Sequence, residues 1–198
     1  MNRKKNISFI FFVLLLMTMN TAFPDDFGLM NEVFLPFASI KNKTNYEELI
    51  PRMLDGFGAY RTAGHKHAGL DIKGGFNESV YSIGIGIVKE IYGEFPYATV
   101  LIEHHLPNNE IVYSGYTHIE DIEVKVNQIV NQNTKLGRLF SEEEYKKTDF
   151  RENHLHFEVR KTIERYKGIS IKCFSMEELN RYFYDPAMFM KERMEKYK

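Results

Sequence analysis

The chain has 198 residues, 43% of them apolar, which suits one domain with a real core plus appendages rather than several domains. A formal net charge of -1 argues against an electrostatic nucleic-acid binder, which would carry a basic excess. The single cysteine, Cys173, excludes an internal disulfide, so packing alone must hold the fold.

At the N-terminus, Arg3, Lys4 and Lys5 precede an uncharged run over residues 7–19 that includes Phe11, Phe12, Val13, Leu14, Leu15 and Leu16. A basic stretch followed by an apolar segment of this length predicts a secretory signal. It is short of the roughly 20 apolar residues that a membrane span needs. Small side chains at Thr21 and Ala22 place the expected cut there, giving a signal over 1–22 and an exported remainder; left uncut, the run would act as an anchor. Residues 23–55 read as a lead-in, with a polar patch between Pro36 and Pro51 and a short helix near Tyr46.

From Asp55 onward glycines recur between short runs rich in Val, Ile and Tyr. Frequent turns between short strands predict a β sandwich or barrel-like domain, and 16 Phe with 12 Tyr suit it. Expected strands cover 80–83, 85–92, 99–104, 111–116 and 154–161, with shorter ones at 122–126 and 135–139. Gly84-Ile85-Gly86 is not a nucleotide loop, because the third glycine is missing and no helix follows. A charged connection over 141–151 reads as a solvated turn or short helix. Cys173 reads as packed rather than reactive. Ser175 with Glu178 predicts the start of a helix over 176–183, and Asp185-Pro186 breaks it ahead of a second one.

Three short stretches carry chemistry. In His154-Leu155-His156-Phe157-Glu158-Val159-Arg160, strand alternation puts His154 and His156 on one face and Leu155 and Phe157 on the other. Two imidazoles on one rigid element suit a metal site or an acid–base site, and equally the polar face of a half-exposed strand. In His67-Ala68-Gly69-Leu70-Asp71, glycines make a helix improbable. Extended backbone would put His67, Gly69 and Asp71 on one face, with room for an ion over the glycine. A third histidine from a distant strand would complete a set of N and O donors of the kind zinc takes, its fourth position left for water. A turn cap at Asp71 and a surface His67 are the plainer alternative. Finally, His118 closes the strand-like Tyr113-Ser114-Gly115-Tyr116-Thr117, where a side chain projects into a cleft more easily than from mid-sheet.

In order along the chain, His-Ala-Gly-Leu-Asp at 67–71, Tyr-Thr-His at 116–118 and His-Leu-His-Phe-Glu-Val-Arg at 154–160 resemble the lysostaphin-type (LytM-like) zinc metallopeptidases, which are peptidoglycan endopeptidases. Ile87-Val88, Val124 through Val130, Leu136-Gly137 and Asp185-Pro186 resemble that family's linking segments, so the likeness covers about 56–188. It implies an antiparallel β-sandwich or half-barrel with short C-terminal helices, and a peptidase domain over 56–190 followed by a tail over 191–198. It implies zinc held by His67, Asp71 and His156, with His118 and His154 as catalytic histidines. One of these would serve as general base and both would steady the oxyanion. The expected substrate is a peptidoglycan stem peptide or cross-bridge, acted on by an exported monomer that binds no nucleic acid. The alternative is a non-catalytic module of the same fold that binds the wall or activates another hydrolase; such modules typically lack ligands, whereas all five positions are filled here. Two departures stand out: the family usually has Gly where Asn127 stands, and often a Gly-Pro pair where Arg151-Glu152-Asn153 stands. His65, His104 and His105 are extra histidines with no ligand role implied. Related enzymes can be held latent by a preceding segment, a role for which Asn31, Asn42 and Asn45 are the candidates.

Overall fold

The computed structural model describes residues 27–40, 45–163 and 172–196. The expected signal and Asn42 lie outside them. Ten strands and three α-helices follow one another: β1 (Met53–Asp55), β2 (Leu70–Lys73), β3 (Ser79–Tyr81), β4 (Gly86–Tyr92), β5 (Thr99–His105), β6 (Ile111–Thr117), β7 (Ile129–Val130), β8 (Lys135–Arg138), α1 (Glu142–Tyr145), β9 (His154–Arg160), α2 (Met176–Tyr182), β10 (Phe183–Tyr184) and α3 (Pro186–Lys196).

The main sheet runs β1-β2-β9-β6-β5-β4-β7, antiparallel throughout, with β10 also paired to β9. A second, two-stranded sheet joins β3 to β8. The strand carrying the paired histidines is therefore central: β6 holds one edge, and β2 and β10 share the other.

Alternation divides the sheet into two faces. Leu155, Phe157 and Val159 of β9 join Leu70, Ile72, Val88, Val100, Ile102, Val112 and Tyr116 in one buried cluster. Val80 and Leu136 of the smaller sheet, and Phe189, Met190 and Met194 of α3, belong to the same cluster. So do Met30, Val33, Leu35, Phe37, Ile40 and Leu49, which means that the segment read as a lead-in contributes to the same core. The opposite face carries one polar row, Tyr92–Thr99–Thr117–His156–Asp71–Asp55, each aligned with the next across six strands.

The main β strands form where expected, within a residue or two. The expected strand at 122–126 does not form; Glu123 bonds to Leu136 and Val124 packs into the core, but the stretch has no ladder partner. Asn127 adopts a left-handed φ of 69°. That conformation favours glycine and tolerates asparagine, so the departure at 127 keeps the backbone shape. The 141–151 connection opens with a helix that Ser141 and Glu144 cap reciprocally, a signature as legible as the one at Ser175.

Candidate active site

A groove of about 1290 Å³ lies over the polar row, bordered by the β1–β2, β4–β5 and α1–β9 connections. All five histidine and aspartate positions singled out in the sequence line it.

His67, Asp71 and His156 converge. His67 Nε2 lies 3.0 Å from Asp71 Oδ1, His156 Nδ1 lies 2.9 Å from the same oxygen, and the two nitrogens are 2.9 Å apart. Strand register explains the meeting, because Asp71 on β2 faces His156 on β9. His67 precedes β2 and is held by its own backbone, whose N–H donates to Ala59 and whose carbonyl accepts from Gly58. Gly69 has a different role from the one expected of it. A Cβ there would sit 2.8 Å from His156 Cε1 and 2.6 Å from the Phe157 carbonyl oxygen, so the glycine makes room for the imidazole rather than for an ion.

The partners of the outer ring atoms fix the tautomers. His67 Nδ1 lies 2.9 Å from the Gly56 carbonyl, an acceptor only, so it carries the proton and leaves Nε2 bare. His156 Nε2 lies 2.9 Å from Glu158 Oε1 and donates to it, so in the neutral ring Nδ1 holds the lone pair. Two lone pairs and a carboxylate oxygen thus point at one another from about a hydrogen-bond length. A cation must lie among them, either a shared proton or a metal. Zinc bonds of about 2.0–2.1 Å opening at a tetrahedral angle would separate such donors by about 3.3 Å, within a few tenths of what is found. The donor set fits a zinc ion.

The electrostatics agree. Burial opposes ionisation of Asp71, but the imidazoles of His156 and His67 beside it outweigh that and hold the carboxyl well below its usual range. Burial likewise opposes charge on His156, yet the bonds to Asp71 and Glu158 carry its pKa up to about 9, so without a metal the ring also holds a proton on Nδ1, in the place a metal would take. The second oxygen of Asp71 is taken by Arg61, whose Nη2 donates at 2.6 Å while its Nη1 reaches Asp55 at 2.8 Å.

His118 and His154 flank this cluster, with ring centroids 4.9 Å apart. His118 Nδ1 donates to the Pro96 carbonyl at 2.7 Å, and His154 Nδ1 to the Glu152 carbonyl at 2.8 Å. Each ring therefore keeps a bare Nε2. Burial, with the neighbouring His154 and His156, pushes His118 down to about 3, and burial also lowers His154, so both are neutral proton acceptors at neutral pH. His118 is buried just past the end of β6 and takes a left-handed φ of 70°, an uncommon conformation for a residue other than glycine. Phe150 packs on both rings, at 4.5 Å from His118 and 5.2 Å from His154, and the exposed Tyr97 stands 5.5 Å from His118.

The extra histidines fall elsewhere. His65 lines the groove and contacts the Lys66 carbonyl, but it does not belong to the convergent set. His104 is buried between the Ile85 carbonyl and the Ser114 hydroxyl, and His105 pairs with Glu103. Asn45 caps the 3-10 turn Tyr46–Glu48, and Asn31 lines a separate depression with Leu106 and Arg193, so neither lines the groove. Arg61, Phe150 and Tyr97 were missed in the sequence because they come from connections without a period to read.

Residues 65–170 match peptidase family M23, more than half of the chain, and the protein belongs to that family. Among solved structures, lysostaphin is similar with a TM-score of 0.50 at 20% identity, over 72% of this chain and 51% of that one. LytU is similar with a TM-score of 0.51 at 22% identity, over 71% of this chain and 85% of that one. At such identities the likeness is one of fold, and the chain spans only about half of the lysostaphin chain. No curated protein matches the chain.

Proposed function

We propose that the protein is an exported zinc metalloendopeptidase that hydrolyses peptide bonds of peptidoglycan stem peptides or cross-bridges. The observation that carries this reading is the meeting of three potential metal-donor atoms, from His67, Asp71 and His156, beside two further imidazoles whose bare nitrogens line the same groove. Membership of a peptidase family supports the reaction class. The peptidoglycan substrate rests on the motif resemblance. Export rests on the basic and apolar N-terminal run; among the described residues no helix is long and apolar enough to cross a membrane.

His67 Nε2, Asp71 Oδ1 and His156 Nδ1 would hold the ion. Bound there, zinc polarises a carbonyl and brings the pKa of water down to about 7. The chain supplies the remainder. His118 or His154 accepts a proton from the attacking water at Nε2, and the charged imidazole then faces the developing oxyanion or returns the proton to the leaving amine. Phe150 covers both rings and keeps bulk water from their faces. Arg61 holds Asp71 Oδ2, which leaves one oxygen of that carboxylate for the metal.

Digestion of purified peptidoglycan with zinc-loaded protein, followed by mass analysis of the released fragments, tests the proposal. Free amino termini at a defined peptide bond, lost on chelation and restored by zinc, are expected. Full activity in a strong chelator, or no release at all, would contradict it.

A further inference from the structure

The face of β9 that carries His154 and His156 continues with Glu158 and Arg160, which the reaction just described does not use. Both are 1% exposed or less. Glu158 Oε1 accepts from His156 Nε2 at 2.9 Å, and Oε2 accepts from Arg160 Nε at 2.7 Å. Arg160 Nη2 donates in turn to the Tyr92 hydroxyl at 2.8 Å, while Nη1 is buried with no partner among the described residues.

A buried ion pair with an orphaned donor is a poor way to gain stability, since desolvation of both charges offsets their attraction and apolar side chains would serve as well. Its geometry offers another reason. An imidazole can present either nitrogen, and the hydrogen bond on the other one decides which. We infer that Glu158, aligned by Arg160 and Tyr92, is a positioning residue: it takes the Nε2 proton of His156 and so commits Nδ1 to the metal. This rests on the zinc reading above but goes beyond it, because it gives a role to Glu158, Arg160 and Tyr92, none of which would touch the metal. The line His156–Glu158–Arg160–Tyr92 extends the site along the sheet, and Arg160 and Tyr92 themselves border the groove.

Glu158→Gln is the sharp test. The amide puts an NH₂ where one of the two acceptor oxygens stood, so one of the donors, His156 Nε2 at Oε1 or Arg160 Nε at Oε2, would face another donor. Zinc affinity, measured by competition with a chromophoric chelator, is expected to weaken by about 10–100-fold. The rise in melting temperature on adding zinc is expected to shrink with it. A purely structural Glu158 would lower the melting temperature of zinc-loaded and chelator-treated protein alike and leave the zinc affinity unchanged, and that result overturns the inference. Should the variant not fold, the wild-type protein decides: with 113Cd in place of zinc and 15N-labelled histidine, metal coupling is expected at Nδ1 of His156 with the proton on Nε2. Coupling at Nε2 refutes the inference while leaving the metal site standing. A wild-type chain that binds neither metal refutes both.

Discussion

At the scale of single residues, the two kinds of histidine in the groove are separated by their partners. His67 and His156 share an oxygen of Asp71, whereas His118 and His154 have their Nδ1 protons on backbone carbonyls and Nε2 free. Replacing a ligand and replacing a base should therefore fail differently. His118→Ala is expected to leave zinc affinity within a few-fold of wild type and to cut turnover by about 10²–10⁴, the usual worth of a positioned acid or base. Metal titration and single-substrate kinetics on the same preparation separate the two. Loss of zinc together with turnover would place His118 among the ligands.

At the scale of elements, β9 organises the site because one strand supplies His154, His156 and the buried Glu158 on one face and core side chains on the other. That much was legible in the sequence, since alternation along residues 154–160 is unambiguous once they are read as a strand. What sequence could not give was register. Asp71 opposite His156, and Thr117 beside it, are products of long-range pairing that no local pattern encodes. The role of Gly69 was misjudged for the same reason, as the ring it accommodates comes from 87 residues further along the chain. The turn at Asn127 can be tested at this scale: its left-handed φ of 69° predicts that Asn127→Gly is neutral or mildly stabilising. Asn127→Ala is expected to cost about 1 kcal/mol. Denaturant midpoints would show it, and equal stability of the Ala and Gly variants would deny the backbone a part.

At the scale of the whole molecule, the core closes on the back of the sheet and includes one buried histidine. His104 lies between the Ile85 carbonyl and Ser114, and burial lowers its pKa to about 4 against the bonds that favour its charge. The unfolded chain binds that proton near pH 6.5. Between those values the unfolded state holds more protons than the folded one, so this group's stabilisation is complete above about pH 6.5 and is lost as pH falls toward about 4. The expected loss from pH 7 to 4.5 is roughly 2–3 kcal/mol from this residue. In urea melts at the two pH values, His104→Gln should be less stable than wild type at pH 7 and lose correspondingly less on acidification. Identical pH dependence in the two proteins would show that folding leaves the pKa of His104 unchanged. Metal binding should weaken as pH falls for a separate reason, and from a higher pH, since imidazole ligands bind only when unprotonated and His156 holds its proton up to about 9.

The proposal that His67, Asp71 and His156 hold one ion underlies all of this, and metal analysis addresses it most directly. After zinc loading and dialysis, the wild-type chain is expected to retain one equivalent of zinc and His156→Ala essentially none, with the same fold by circular dichroism. A His156→Ala protein that kept a full equivalent of zinc would show that the ion is held elsewhere.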